Sequence, residues 1–311
     1  MKSGSIGTDT DHAIEVLRNG GVIGFPTETV YGLAADASNS VAVNRIFDIK
    51  GRPRNHPLIV HLDSLAEARF WSADWSASAE ILGALFWPGP LTVIVAKALT
   101  VQHEVTGGLE TIALRVPNHA VALEVLRGFE GGIAAPSANR FGKVSPTTAS
   151  AVEAELGAFL DSKDLILDGG ACEVGVESTI IDCTTQSPII LRPGAITHSM
   201  IKDATGIEPD ATNKVDTKAS GLLESHYSPS AKVILDQTPQ AGDGFIALSN
   251  IKTPQGVIRL AEPKNNIEYA KVLYQALRSA DAQQIKTVHA HLPTGDDIAQ
   301  AIIDRLNKSA K

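Results

Sequence analysis

The chain has 311 residues, 43% hydrophobic and 20% charged, which are ordinary proportions for a globular protein with a sizeable core. At about 150 residues per domain the length points to two domains. Lysines and arginines number 27 against 35 aspartates and glutamates, a formal charge of −8, which disfavours holding nucleic acid by overall charge and leaves only a local basic patch open.

Residues 11–19 place Ala13, Ile14, Val16 and Leu17 on one helical face, closed by Gly20-Gly21. The stretch "GFPTETVYGL" follows. Val22 to Phe25 is a short buried strand that Pro26 ends, since proline has no N–H for the ladder. Thr27, Glu28, Thr29 and Tyr31 then crowd hydrogen-bonding groups at the end of that strand. Residues 40–50 predict a helix stopped by Gly51, with strand 58–61 and helix 64–70 after it. Strands are expected at 91–96 and 112–116, a helix at 120–127, a strand at 133–135 and a helix at 147–160. Further strands fall at 165–167, 178–183 and 189–191, the last two forming a hairpin. This order predicts an α/β layer fold with a partly antiparallel sheet.

From about 203 to 231 the chain is polar and aperiodic, with Pro209, Gly221 and Pro229, and reads as a linker. Strands at 232–235, 244–248 and 288–292 and helices at 269–279 and 298–307 predict a smaller α/β unit. The expected division is 1–202, a linker at 203–231, and 232–311. Cys172 and Cys183 form no CxxC pair and fit a reducing compartment. With neither an apolar leader nor a run near the ~20 residues of a membrane helix, the expectation is a soluble, cytoplasmic protein.

In "DIKGRPRNHPLIVHL", Lys50, Arg52 and Arg54 read either as cations complementing a helix C-terminus or as a phosphate site. In "GIAAPSANRFGKVSP", Ser137, Asn139, Arg140, Lys143 and Ser145 follow a strand that ends at Pro136. They are turn formers or, at a strand end of an open α/β sheet, ligand groups. Thr111 and Arg115 share a strand face, and Arg115 needs an anionic partner if it is buried. Ser178 and Arg192 sit at the ends of the hairpin. His289 and His291 have no metal-ligand spacing and are expected to face solvent. There is no GxxxxGK[ST], no GxGxxG after a strand and no GxSxG, and no metal site is expected.

Together "PTETVYGL", "IKGRP" with "PLIVH", "FWPGPLT", "RVP", "APSAN", "GVESTIID" and "LRPG" resemble the YrdC family, in one order from 24 to 194. The later "ASGLLESHYSP" and the small α/β unit resemble the linker and C-terminal domain of the family's long form, the threonylcarbamoyl-AMP synthases. The resemblance implies a twisted mixed sheet with a basic concave cavity, then a linker and a small Rossmann-like α/β domain. It implies that L-threonine, bicarbonate and ATP, with Mg²⁺ on the phosphates, give threonylcarbamoyl-AMP and pyrophosphate. That adenylate would feed a separate tRNA threonylcarbamoyl transferase complex, with no stable nucleic-acid binding required. By position, the resemblance makes Lys50, Arg52, Ser137 and Asn139 a catalytic cluster facing the polyphosphate. Arg52, His56, Thr111, Ser137, Ser145, Arg192 and Tyr227 become ATP contacts, and Thr29, His61, Arg115 and Ser178 threonine contacts. Ser225, His226 and Tyr227 would close over the cavity. His56 stands where the family usually has asparagine. An RNA-binding module for ribosome maturation is the alternative, opposed by the −8 charge and by only 5% aromatic residues. Carbamoyl-adenylate chemistry of the hydrogenase-maturation kind is another, but no Cys-rich segment exists here.

Overall fold

The computed structural model describes residues 5–210 and 227–310. The first unit contains β1 (Ser5–Gly7), β2 (Ile23–Phe25), β3 (Gly32–Asp36), β4 (Ile59–His61), β5 (Ser72–Asp74) and β6 (Leu91–Lys97). It continues with β7 (Thr111–Arg115), β8 (Ile133–Ala134), β9 (Leu165–Leu167), β10 (Thr179–Asp182) and β11 (Ile189–Arg192). They form one mixed sheet in the order β1-β9-β2-β3-β8-β4-β7-β6-β10-β11, with β5 paired to β6. The hairpin β10–β11 is antiparallel, as its polar connection predicts, while β4–β7 and β6–β10 are parallel.

Strand alternation divides the residues of the central strands between two faces. Val60, Val93, Leu114 and Ile181 point into the large core under the helices, whereas Ile59, Ile94, Ala113 and Ile180 form a small apolar patch opposite. Arg115 and His61 follow the second set by two residues, which carries them onto the less covered face.

Helix Ser40–Lys50 has the predicted bounds because both ends are capped locally. The Asn39 side chain accepts from the N–H groups of Val41 and Ala42, and Gly51 takes the left-handed conformation at φ 62°. Several elements lay outside the sequence expectation: β1, β3, β5, the strand Ile258–Ala261 and helices Ala77–Phe86, His103–Thr106 and His198–Thr205. The β3 stretch "GLAAD" lacks both alternation and β-branched residues; burial and pairing with β2 and β8 make it a strand. Helix His198–Thr205 and the bridge between Ile189 and Asp210 lie partly in the stretch read as a linker.

The second unit pairs β12 (Lys232–Leu235), β13 (Gly244–Ile246), β14 (Ile258–Ala261) and β15 (Thr287–Ala290) in the order β12-β15-β13-β14, all parallel. Helices Asn266–Ala282 and Ala299–Ser309 accompany this sheet. His289, expected to face solvent, is buried, because β15 is an interior strand; its imidazole lies 3.2 Å from Asp243. Only His291, past the strand end, is exposed. Among the described residues no helix is long and apolar enough to cross a membrane.

The start of β2 is pinned by a buried carboxylate. Asp164 accepts from the Val22 N–H at 3.0 Å and from both Arg45 Nη atoms at 2.9 and 2.8 Å. Asp164→Ala would leave the buried Val22 N–H without its acceptor and Arg45 with Asp161 alone, so denaturant unfolding should show a loss of about 2 kcal/mol. A loss below about 1 kcal/mol would show that the clip is not needed.

Candidate functional site

The crowded loop after Pro26 first organises itself. Thr27 Oγ1 donates to the Val30 carbonyl at 2.7 Å and accepts from the Thr29 N–H at 3.2 Å, a hydroxyl-built turn. Its one proton is thereby used, so at their 2.9 Å contact Thr29 must donate to Thr27. Thr29 Oγ1 in turn accepts from Arg115 Nη1 at 2.8 Å. Tyr31 leaves in the other direction, its hydroxyl donating to the Gly170 carbonyl at 2.7 Å. Burial pushes its pKa well up and keeps it neutral.

Arg115 is buried, and the anionic partner it requires is Glu28, 2.6 Å from Nη2. Its Nε donates to the Gly89 carbonyl at 3.2 Å. Two of its five N–H groups are thus spent on hydrogen bonds, to Gly89 and Thr29, and the Nη2 edge lies against Glu28 as an ion pair, which holds the fork in place.

A second set of cations surrounds the same hollow. Lys50, the last residue of its helix, is fully buried and donates to the carbonyls of Ser137, at 2.5 Å, and Asn139. Burial, with Arg52 and Arg140 nearby, holds its pKa well below the ordinary lysine value. Arg52 donates from Nη2 to the Pro57 carbonyl at 3.0 Å, and its guanidinium lies 5.9 Å from the Phe141 ring centroid. Arg192 donates to the Ser178 carbonyl at 3.0 Å and to its hydroxyl at 3.1 Å. Burial and then mutual repulsion pull Arg52 down to about 10, and burial also lowers Arg192. Crowded, desolvated positive charge of this kind is what an anion relieves.

Thr29, Arg52, His61, Arg115, Ser137, Ser178, Arg192 and Tyr227 line one cavity, together with Thr27, Ile59, Pro136 and Glu177. Counted out to its open mouth, the cavity encloses about 530 Å³. Lys50, Asn139 and Ser145 stand behind this lining. The Asn139 amide donates to the carbonyls of Arg140 and Lys143, and Ser145 Oγ donates to Glu177 at 2.5 Å. Besides Ser145, the expected nucleotide contacts Thr111 and His56 are not part of the lining. Thr111 shares the face of Arg115 but stands four residues, roughly 13 Å, away along β7; it pairs there with Ala96. His56 meets the edge of the Phe141 ring at 5.4 Å instead. Ser225 and His226 lie outside the described residues.

Sequence reading named Glu28 only as a hydrogen-bonding group, without its pairing to Arg115, and missed Glu177. Glu28 and Glu177 both stand inside the motifs quoted above, yet their partners are distant in the chain. Among the described residues no group of three or more His, Cys, Asp or Glu could hold a metal ion.

Against known proteins, residues 15–194 match the Sua5–YciO–YrdC family, described as telomere recombination. Residues 196–311 match the C-terminal domain of threonylcarbamoyl-AMP synthase. The threonylcarbamoyl-AMP synthase of Pyrococcus abyssi is 44% identical over 94% of this chain and 92% of its own length. The chain belongs to the threonylcarbamoyl-AMP synthase family. Its Bacillus subtilis relative is 35% identical over 96% of this chain and 92% of its own. The crystal structure of P. abyssi Sua5 complexed with L-threonine superposes with TM-score 0.88 at 34% identity, covering 99% of this chain and 97% of that one. E. coli YciO, at 24% identity and TM-score 0.52 over 62% of this chain and 95% of its own, shares only the fold.

His61 makes an acid-sensitivity test. Burial, and after it the Arg115 charge, drive its pKa down to about 3, so the imidazole is neutral at pH 7. Unfolded, it would titrate near 6.5. Above that pH both states are neutral and His61 adds no slope. As pH falls from about 6.5 toward 3 only the unfolded chain gains the proton, so stability drops by up to about 1.4 kcal/mol per unit. His61→Gln should flatten unfolding free energy against pH between about 6.5 and 4.5; an unchanged slope would locate the sensitivity elsewhere.

Proposed function

We propose that this chain is a threonylcarbamoyl-AMP synthase, converting L-threonine, bicarbonate and ATP to threonylcarbamoyl-AMP and pyrophosphate. The observation that carries this reading is two separate anion-binding walls in one cavity. On one side the anchored Arg115 fork stands beside Thr29 and His61; on the other Arg52 and Arg192 stand beside Ser137, and Ser178, expected as a threonine contact, is bonded to Arg192. The first suits an amino-acid carboxylate, taken by the N–H directions of Arg115 that orientation leaves over. The second suits a polyphosphate, and both groups line the same cavity, where the two substrates would meet.

In the reaction the threonine amine takes up bicarbonate, with loss of water, to give a carbamate. A carbamate oxygen then forms a bond to the α-phosphorus of ATP. The bond from that phosphorus to its bridging oxygen breaks, and the electron pair leaves on pyrophosphate. No side chain is required as a covalent nucleophile. The chain's contribution is to hold two anions in contact and to offset the charge that develops at phosphorus and on the leaving group. Neutral His61 can serve the amine or hydroxyl of threonine without repelling an ammonium group.

Mg²⁺ enters as part of the nucleotide substrate. The donor set fits that role: the carboxylate in the lining, Glu177, is engaged by Ser145, Tyr274 and Arg305, which leaves the ion to the phosphates. The ion would offset phosphate charge. Because the site's cations are buried rather than displayed, binding RNA is not required of them. The product adenylate would pass to a separate transferase acting on tRNA, and the reaction would take place in the cytoplasm.

Incubation with ATP, Mg²⁺, L-threonine and bicarbonate, with nucleotides separated by chromatography, should show threonylcarbamoyl-AMP and equimolar pyrophosphate only when all are present. Hydrolysis of ATP to ADP, or product formation without threonine, would reject the reading. Arg52→Ala should fold normally yet lose pyrophosphate release by a factor of about 100 or more. Arg115→Lys keeps the charge and loses the fork, so KM for threonine should rise far more than KM for ATP. Equal rises would indicate damage to the sheet instead.

A further inference from the structure

The wall that carries Ser178 and Arg192 is braced from the second unit. Arg305, wholly buried on helix Ala299–Ser309, donates from Nε to Glu177 Oε2 at 3.0 Å. Its Nη groups donate to the carbonyls of Pro193 at 2.8 Å and Glu177 at 3.3 Å, the residues directly beside Arg192 and Ser178. Tyr274, on helix Asn266–Ala282, donates to the same Glu177 oxygen at 2.8 Å. Glu177 then passes the constraint on by accepting from Ser145 Oγ at 2.5 Å.

Tyr227, which lines the cavity, is held in the same way. Its ring stacks on Tyr274 at 5.6 Å and lies 5.4 Å from the Arg305 guanidinium, and its carbonyl accepts from Ser309. The contact leaves no slack: a Cβ placed on Gly175, at φ +83°, would sit 2.4 Å from the Lys271 Cα and 2.5 Å from the Ala270 carbonyl of helix Asn266–Ala282. Arg278 from that helix also donates to the carbonyls of Val144 and Ser145.

We propose that Arg305 and Tyr274 are positioning residues for the nucleotide. Acting through Glu177 and the Glu177 and Pro193 carbonyls, they fix Arg192, Ser178, Ser145 and Tyr227 where the phosphates are met. This rests on the synthase reading for the identity of the ligand. Glu177 is central because it offsets Arg305 and Arg192 together. Burial opposes its charge, but those two cations, with the Ser145 and Tyr274 hydroxyls, hold its pKa at about 2. The threonine wall of Thr29, His61 and Arg115 receives none of these contacts.

The test is titration calorimetry of the full chain with ATP, tripolyphosphate and L-threonine. Arg305→Lys keeps a charge but cannot reach Glu177 and both carbonyls, so Kd for ATP and tripolyphosphate should rise tenfold or more. Kd for threonine should stay within threefold. Tyr274→Phe, which removes one hydroxyl and spares the fold, should raise the ATP Kd by about two- to fivefold. Gly175→Ala, which wedges the units apart, should follow Arg305→Lys. An ATP Kd unchanged in all three variants, or threonine weakened as much as ATP, would show a merely structural staple and overturn the proposal. If the unaltered chain binds both ligands but forms no threonylcarbamoyl-AMP, the synthase reading fails while the positioning result still stands.

Discussion

Five cationic side chains, Lys50, Arg52, Arg115, Arg192 and Arg305, are buried in and around one hollow, with Glu28 and Glu177 as the buried carboxylates among them. Taking charge out of water costs several kcal/mol per ion unless partners replace the lost hydration. Here backbone carbonyls do much of that work: those of Pro57, Gly89, Ser137, Asn139, Ser178 and Pro193 all accept from these cations. Such carbonyls must be aimed inward, which explains why the surrounding loops are held so tightly. An excess of positive charge remains, five cations to two carboxylates; burial first, and neighbouring cations after it, hold the pKa values of Lys50, Arg52 and Arg192 down. An anion bound in this cavity would complete the charge balance.

The sheet serves that end. Alternation along β4 and β7 puts His61 and Arg115 on the face away from the main core, and their pairing sets them side by side. The loop after β2 is stitched to the Pro136 and Pro146 segments by backbone bonds from Leu33, Tyr31 and Ala138. Segments far apart in sequence thereby become one wall. The second unit adds the remaining constraint from outside, so this tail does more than cover the cavity mouth.

Much of this was legible in the sequence where the determinant is local. Helix Ser40–Lys50 announces itself through its Gly51 stop, and β9 through the apolar run Leu165–Leu167. β3 escaped because "GLAAD" carries no period, and helix His198–Thr205 because its polar surroundings resemble a linker. Loop residues of the cavity could be named from their motifs, whereas Glu28 with Arg115 and Glu177 with Arg305 could not. The latter pair is 128 residues apart, and no local pattern joins them. One signal was available. In "AIIDRLNK", Arg305 falls on the apolar stripe of Ile302 and Leu306, where a cation requires a buried partner.

The claim that polyphosphate completes the charge balance of the cavity is tested most directly by ligand-linked stability. Equilibrium unfolding of the intact chain should be followed at constant ionic strength with rising ATP, and in parallel with adenosine. A ligand confined to the folded state stabilises by RT ln(1 + [L]/Kd), about 2.7 kcal/mol at a hundred times Kd. ATP should stabilise along that curve and adenosine far less, because the phosphates carry the interaction. Equal stabilisation by the two, or none by ATP, would contradict the account.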